Sequence, residues 1–167
     1  MDKKRTIAGI LALVWMCVIF SFSAQPSEES SEVSGGLSYQ IISSAGSFFH
    51  LDLDEEELHR IAAKIEKPVR KAAHMTEYAI LVILLYVWLG KWQFPVMKRG
   101  FLALLTSILY AVSDETHQRF VPGRAGKFSD VLIDSAGAVL GLFIFIGVKK
   151  CISFLSNRRK YKAKKSS

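Results

Sequence analysis

The residues able to do chemistry are concentrated in Ser113–Asp134, SDETHQRFVPGRAGKFSDVLID. Four carboxylates, a histidine, a glutamine and two arginines lie there between two strongly apolar segments. Ionisable groups at the edge of an apolar span are costly to keep, so they are functional-site candidates by default. A second polar pair, His74 and Glu77, stands near the start of another apolar segment. If the two regions meet, His74 or Glu77 can serve as a general base and Asp114 or Glu115 as an acid. Carboxylates sharing one recess resist ionising together, which separates the two roles. Arg119 or Arg124 would hold an anionic group such as a phosphate, for which the guanidinium fork is suited. Gln118, Asp130 and Asp134 would complete the binding residues.

Two other readings apply to the same residues. The acids could be braces, with Asp130 or Asp134 paired to Arg124 and with Arg119, Lys127 and Lys71 close by. Buried pairs of this kind recover their desolvation cost only when well hydrogen-bonded. One brace would need fewer unlike groups than are present here. His74, Glu77, Asp114 and Glu115 could instead take a divalent cation, but their spacing matches no tight metal signature. No metal and no cofactor are expected, and no Ser, Thr or Cys lies in a nucleophile motif. Cys17 and Cys151 fall at different depths, which predicts neither a disulfide nor a thiolate metal site.

The elements that must position these residues are apolar. Half of the 167 residues are hydrophobic, which suits one membrane domain and excludes a large soluble multidomain enzyme. Residues 6–24 carry no charge and follow Lys3, Lys4 and Arg5, long enough for a span of the roughly 30 Å hydrocarbon core. Phe22 and Pro26 make a poor cleavage site, so an uncleaved helix is expected rather than a signal peptide. Residues 25–71 form an extracytoplasmic loop, with Ser27–Ser38 irregular. A capping box at Asp54 and Glu57 opens a short helix there, whose apolar face is Leu58, Ile61, Ala62 and Ile65. Pro68 marks a new helix start. Further spans are expected at about 72–90, 100–118 and 130–148. The third has only fourteen apolar residues, Gly100–Ser113, and must continue through Asp114, Glu115 and Gln118 into a polar recess. A four-helix all-α membrane domain over residues 1–150 and a basic cytoplasmic tail over 151–167 result.

Charge orients this bundle. With both termini inside, the inner segments hold 14 Lys and Arg against one acid, and the outer ones 8 against 14 acids. The sides then carry +13 and −6, within the total of +7. The positive-inside rule therefore predicts an N-in, C-in topology, and assigns the basic charge to cytoplasm and anionic lipid rather than nucleic acid. His74 and Glu77, then Asp114, Glu115 and Gln118, then Asp130 and Asp134 all fall on the outer side. Asp114, His117 and Gln118 share one helix face, with Glu115 about a quarter-turn away. Asp130, Asp134, Gly137 and Gly141 form a single stripe, in which the glycines are a small-xxx-small packing seam.

These residues resemble a known family. Phe22-Ser-Ala-Gln25, then His74-Met-Thr-Glu77-Tyr78, then Asp114 through Arg124 with Asp130, Asp134, Gly137 and Gly141 are similar to the ordered motifs of VanZ-like proteins. The resemblance runs from the first helix through the fourth and leaves out the basic tail. It implies an integral protein of the bacterial cell envelope, in a family whose founding member is associated with reduced susceptibility to the glycopeptide teicoplanin. No reaction comes with the resemblance. The expected partner is a membrane lipid or lipid-linked cell-wall precursor, bound and open to modification at an outward-facing site. The alternative is a non-enzymatic protein that binds or shields a partner or antibiotic at the outer leaflet. Ion passage fits less well, because the acids cluster on one side.

Overall fold

The computed structural model describes residues 3–165, with side chains through Arg158. Five α-helices follow one another: α1 Lys3–Ser23, α2 Ser27–Phe49, α3 Glu55–Leu89, α4 Val96–Gln118 and α5 Phe128–Lys165, with a 3-10 turn at Gly90–Trp92. Among the described residues there is no strand. Four helical segments are long and apolar enough to cross a membrane: Lys3–Ser23, Glu55–Trp92, Val96–Gln118 and Phe128–Arg158. Cys17 and Cys151 are free and exposed.

The centre of the bundle is α3, which packs against each of the other four helices. Its buried face carries Tyr78, Leu81, Val82, Leu85 and Tyr86, which meet Ala12 and Ile19 of α1, Ala103 and Ala111 of α4, and Ala138 and Leu142 of α5. The glycine stripe of α5 makes the closest approach. A Cβ on Gly137 would run into the backbone of Met75, and one on Gly141 would lie 2.6 Å from the Cβ of Ala79. Small residues at these positions let the two helix backbones approach where lipid supplies no hydrophobic force between helices. At the opposite end Arg5 donates to the Gly90 carbonyl at 2.5 Å. There Arg99 donates to the Tyr86 hydroxyl at 2.6 Å and lies 4.1 Å over its ring.

Three expectations are corrected. Ser27–Ser38 is not a loop but the first half of α2. Its serines are weak helix formers, yet Ser34 and Ser38 return their hydroxyls to the Ser30 and Ser34 carbonyls at 2.8 and 2.7 Å. Ser34, Ser38 and Gly46 then form a buried seam against α3, and this tertiary packing outweighs propensity. The helix ends where His50 turns left-handed, with Leu51 N–H bonded to the Gly46 carbonyl at 2.9 Å.

Pro68 does not begin a helix either. It lies inside α3, which opens at the expected cap where Asp54 Oδ1 accepts from Glu57 N–H at 2.8 Å. Pro68 and Lys64 are both exposed, so the carbonyl freed by the missing N–H can be solvated. The span through Trp92 is 38 residues, about 57 Å at helical rise. That is roughly twice the hydrocarbon core. The first half of α3 therefore extends past the spans, with α2 antiparallel along it. Third, α5 does not stop at residue 148 but carries the basic tail as helix to Lys165. The α4 expectation needs no such correction, since that helix runs unbroken through Asp114, Glu115 and Gln118.

The seam has a direct consequence for stability. Gly141→Leu should destabilise the bundle by about 1–3 kcal/mol through overpacking. Gly147→Leu, where nothing lies within 4 Å, should be neutral. Thermal unfolding of the purified variants in detergent reads the difference; equal melting temperatures would remove the glycine seam from the account.

Candidate functional site

The C-terminal ends of α1 and α4, the start of α5 and the middle of α3 meet at one end of the bundle. The loop over residues 119–127 closes that end. Val121–Arg124 is a turn with Pro122 second, Gly123 third at φ +73°, and Arg124 N–H bonded to the Val121 carbonyl at 3.1 Å. Proline and a positive-φ glycine at those positions are the type II pattern. The Pro122 carbonyl accepts from Ser27 N–H at 3.2 Å, which ties the loop to the start of α2. Gly126, at φ +44°, passes so close to the Glu115 carbonyl that a Cβ would collide with it.

Deepest in this end is Asp114, only 2% exposed. Ser23 of α1 donates to its Oδ2 at 2.8 Å, and Gln118 Nε2 donates to Ser23 Oγ at 2.6 Å and to the same Oδ2 at 3.4 Å. Asp114 Oδ1 has no partner, and neither has the hydroxyl of fully buried Tyr78. His74 Nδ1 lies 3.2 Å from Glu77 Oε2, an ion pair when the imidazole is protonated, though neither atom makes an aligned hydrogen bond. Asp134, also 2% exposed, lines the cavity beside His74. Buried polar atoms without protein partners are uncommon, and here they cluster beside one cavity.

That cavity has a volume of about 310 Å³. Its wall includes Lys67, Arg70, Lys71, Arg124 and Lys127, against the carboxylates of Glu115, Asp130 and Asp134. Lys71 pairs with Asp130 at 3.0 Å, and Arg70 with Glu66, Ser31 and Ser34. Lys67 and Lys127 make no ion pair among the described residues, and five cations stand against three carboxylates in the lining. Arg124 is half-buried, and burial, followed by the neighbouring charge of Arg70, pulls its guanidinium below the usual value, while the carboxylates of Asp114, Glu115 and Glu77 offset part of that shift.

The sequence-selected residues separate into distinct places. His74, Glu115, Gln118, Arg124, Asp130 and Asp134 line the cavity, and Asp114 lies behind Gln118. Glu77 borders a second cavity on the other side of His74. Glu115 is committed to the loop, where its Oε2 accepts from Lys127 N–H at 2.9 Å. Arg124 also has structural bonds, from Nε to the Gln25 carbonyl at 2.8 Å and from Nη2 to the Phe22 carbonyl at 3.0 Å. These carbonyls lie at and just past the end of α1, whose dipole favours a cation. Arg119 is exposed and does not line the cavity; its stem passes Gly126. His117 packs against Phe20 with the rings tilted, centroids 4.5 Å apart. The brace anticipated between Arg124 and Asp130 is replaced by Lys71 and Asp130.

Lys67, Arg70 and Ser23 were not assigned roles from sequence. Positions 67, 70, 71 and 74 repeat at three- and four-residue intervals on one helix face, a signal hidden by placing a helix break at Pro68. Among the described residues no three His, Cys, Asp or Glu side chains converge as a metal set.

The structure is thus an all-helical protein with four candidate spans and a polar cluster at one end. The family model described as VanZ/LLP1 matches residues 8–151, a range that includes every residue of the site, and the chain belongs to this family. No curated protein and no solved structure matches the chain.

The role given to Glu115 can be checked separately. Glu115→Ala should speed amide exchange at Lys127 about tenfold, the loss of one charge-assisted hydrogen bond. Unchanged exchange would show that the loop does not depend on that carboxylate.

Proposed function

We propose that this protein binds an anionic component of the cell envelope, an acidic lipid or a lipid-linked cell-wall precursor. Binding takes place at the cavity between α3, α5 and the 119–127 loop. The observation that carries the reading is the surplus of cations in the lining of a cavity that also holds half-buried His74 and buried Asp134. Lys67, Lys127, Arg70 and Arg124 attract and orient the anion. The proposed topology is N-in, C-in, with the cavity extracytoplasmic, because it sits at the acid-rich end, away from Arg5, Lys91, Lys98 and Arg99. By family resemblance the site bears on susceptibility to teicoplanin.

If the anion is also modified, His74 is the group best placed to move a proton. It borders the cavity and carries Glu77 at its Nδ1, which would orient the ring and stabilise its protonated form. Asp114, held by Ser23 and Gln118, places a hydrogen-bonded carboxyl group behind it. The non-enzymatic reading has its own support: Glu115 and Arg124 hold the loop and the end of α1. In that case the site recognises or shields a membrane component without changing it.

Mass spectrometry of envelope lipids and wall precursors, from cells with and without the protein, separates these readings. Catalysis predicts a changed species that disappears in folded, inserted His74→Ala and Glu77→Gln variants. A binding role predicts no changed species, but a phenotype that survives Glu77→Gln and is lost with Lys67→Glu and Lys127→Glu. An unchanged envelope together with a phenotype indifferent to all four substitutions would reject both.

A further inference from the structure

The wall formed by Arg70, His74 and Arg124 has a cavity on each side. The second, about 180 Å³, is lined mainly by apolar groups, among them Phe22, Val33, Leu37, Val69 and Ala73, with Glu77 at its polar end. It lies on one flank of the α2–α3 hairpin. The other flank is polar, with Tyr39 donating to Glu55 at 2.9 Å and its ring 4.8 Å from that of His59.

Along residues 33–41 the polarity of α2 is inverted for a helix in water. It buries Ser34, Ser38 and Gly46 against α3 and turns Val33, Leu37 and Ile41 outward, 63%, 46% and 43% exposed. These three recur at four-residue intervals in a stripe beside the buried seam. With Glu28, Glu29 and Glu32 exposed on the same helix, the stripe is a local apolar strip at the margin of the spans. The stripe adjoins Phe22, which is exposed at the end of α1 and lines the same groove. The groove is therefore continuous with an apolar surface of a candidate span, and its inner end is closed by two guanidiniums.

We propose, building on the anion-binding reading, that this groove holds the hydrocarbon chain of an anionic lipid whose head group reaches the Arg70–His74–Arg124 wall. The ligand is then an amphiphile that enters sideways from the bilayer, and a water-soluble anion occupies only half of the site. Charge complementarity fixes its orientation: the head lies against Arg70 and Arg124 and the chain runs between Val33, Leu37 and Val69 toward Phe22. No polar group is needed along the chain, because the groove's apolar lining replaces lipid contact with protein contact.

The test uses the full chain in detergent, with three probes followed by native mass spectrometry and titration. These are lysophosphatidylglycerol, its head-group fragment glycerol phosphate, and lysophosphatidylcholine. Wild type should prefer lysophosphatidylglycerol over both others. Leu37→Trp and Val33→Trp fill the groove from exposed positions and should each weaken the lipid about tenfold, the value of losing a few buried methylenes. Glycerol phosphate binding should stay unchanged. Ile41→Trp, outside the groove on the same stripe, should leave both unchanged. Melting curves confirm that the variants are folded. Glycerol phosphate binding as tightly as the lipid, or groove variants without effect on the lipid, would overturn the chain assignment while keeping the anion site. An equal loss from Ile41→Trp would mark the stripe as a protein-binding or self-association face, which also overturns it. Failure of both anionic probes to bind wild type would instead reject the anion reading itself.

Discussion

A carboxylate at the end of an apolar helix must be hydrogen-bonded, paired or wet, and Asp114 is where this constraint acts most strongly. Transfer of an unpaired ion into a low-dielectric interior costs several kcal/mol. Ser23 and Gln118 share that cost by donating to the Asp114 network, and in doing so they tie α1 to α4. Arg124 then ties the loop to the end of α1, Glu115 ties α4 to the end of the loop, and Lys71 ties α3 to α5 through Asp130. Each bond that solves a local electrostatic problem also positions the cavity wall. Structural and functional roles are therefore not alternatives at this end of the molecule. His74, Glu77, Tyr78 and Asp114 retain unpartnered buried atoms that no brace requires.

The length of α3 has a similar double effect. Its second half organises the spans, while its first half extends beyond them and carries Lys67, Arg70 and Lys71 over the cavity. The α2 helix stiffens this extension and gives it two chemically different flanks. An extension built from α3 alone would expose Leu58, Ile61 and Ala62 with no opposing seam. With α2 in place, Ala62 is only 4% exposed.

Much of this was readable before the structure. The four spans followed from apolar length, and the buried stripe of α5 from the spacing of Asp134, Gly137 and Gly141. The gathering of His74, Gln118, Asp130 and Asp134 followed from connecting those spans in order. What was not readable depended on tertiary contacts. Local propensity gave Ser27–Ser38 as loop, because serine and glycine favour helix only when a partner accepts a close approach. Pro68 read as a boundary, because its cost is bearable only where the freed carbonyl is exposed. Those two errors hid Arg70 and Lys67, which share a helix face with Lys71 and His74. Arg119 and Arg124 were indistinguishable by type. Only the turn at Pro122–Gly123 decides that one faces the cavity and the other passes Gly126.

The proposed topology puts the polar end outside the cell, opposite a basic end inside. Thiol labelling of the full chain in intact cells tests this most directly. Lys127→Cys and Lys91→Cys, each in a Cys17→Ser, Cys151→Ser background, would be exposed to a membrane-impermeant maleimide. The account predicts that position 127 is labelled in intact cells and position 91 only after permeabilisation. Labelling of position 91 alone in intact cells would invert the topology and contradict an extracytoplasmic site.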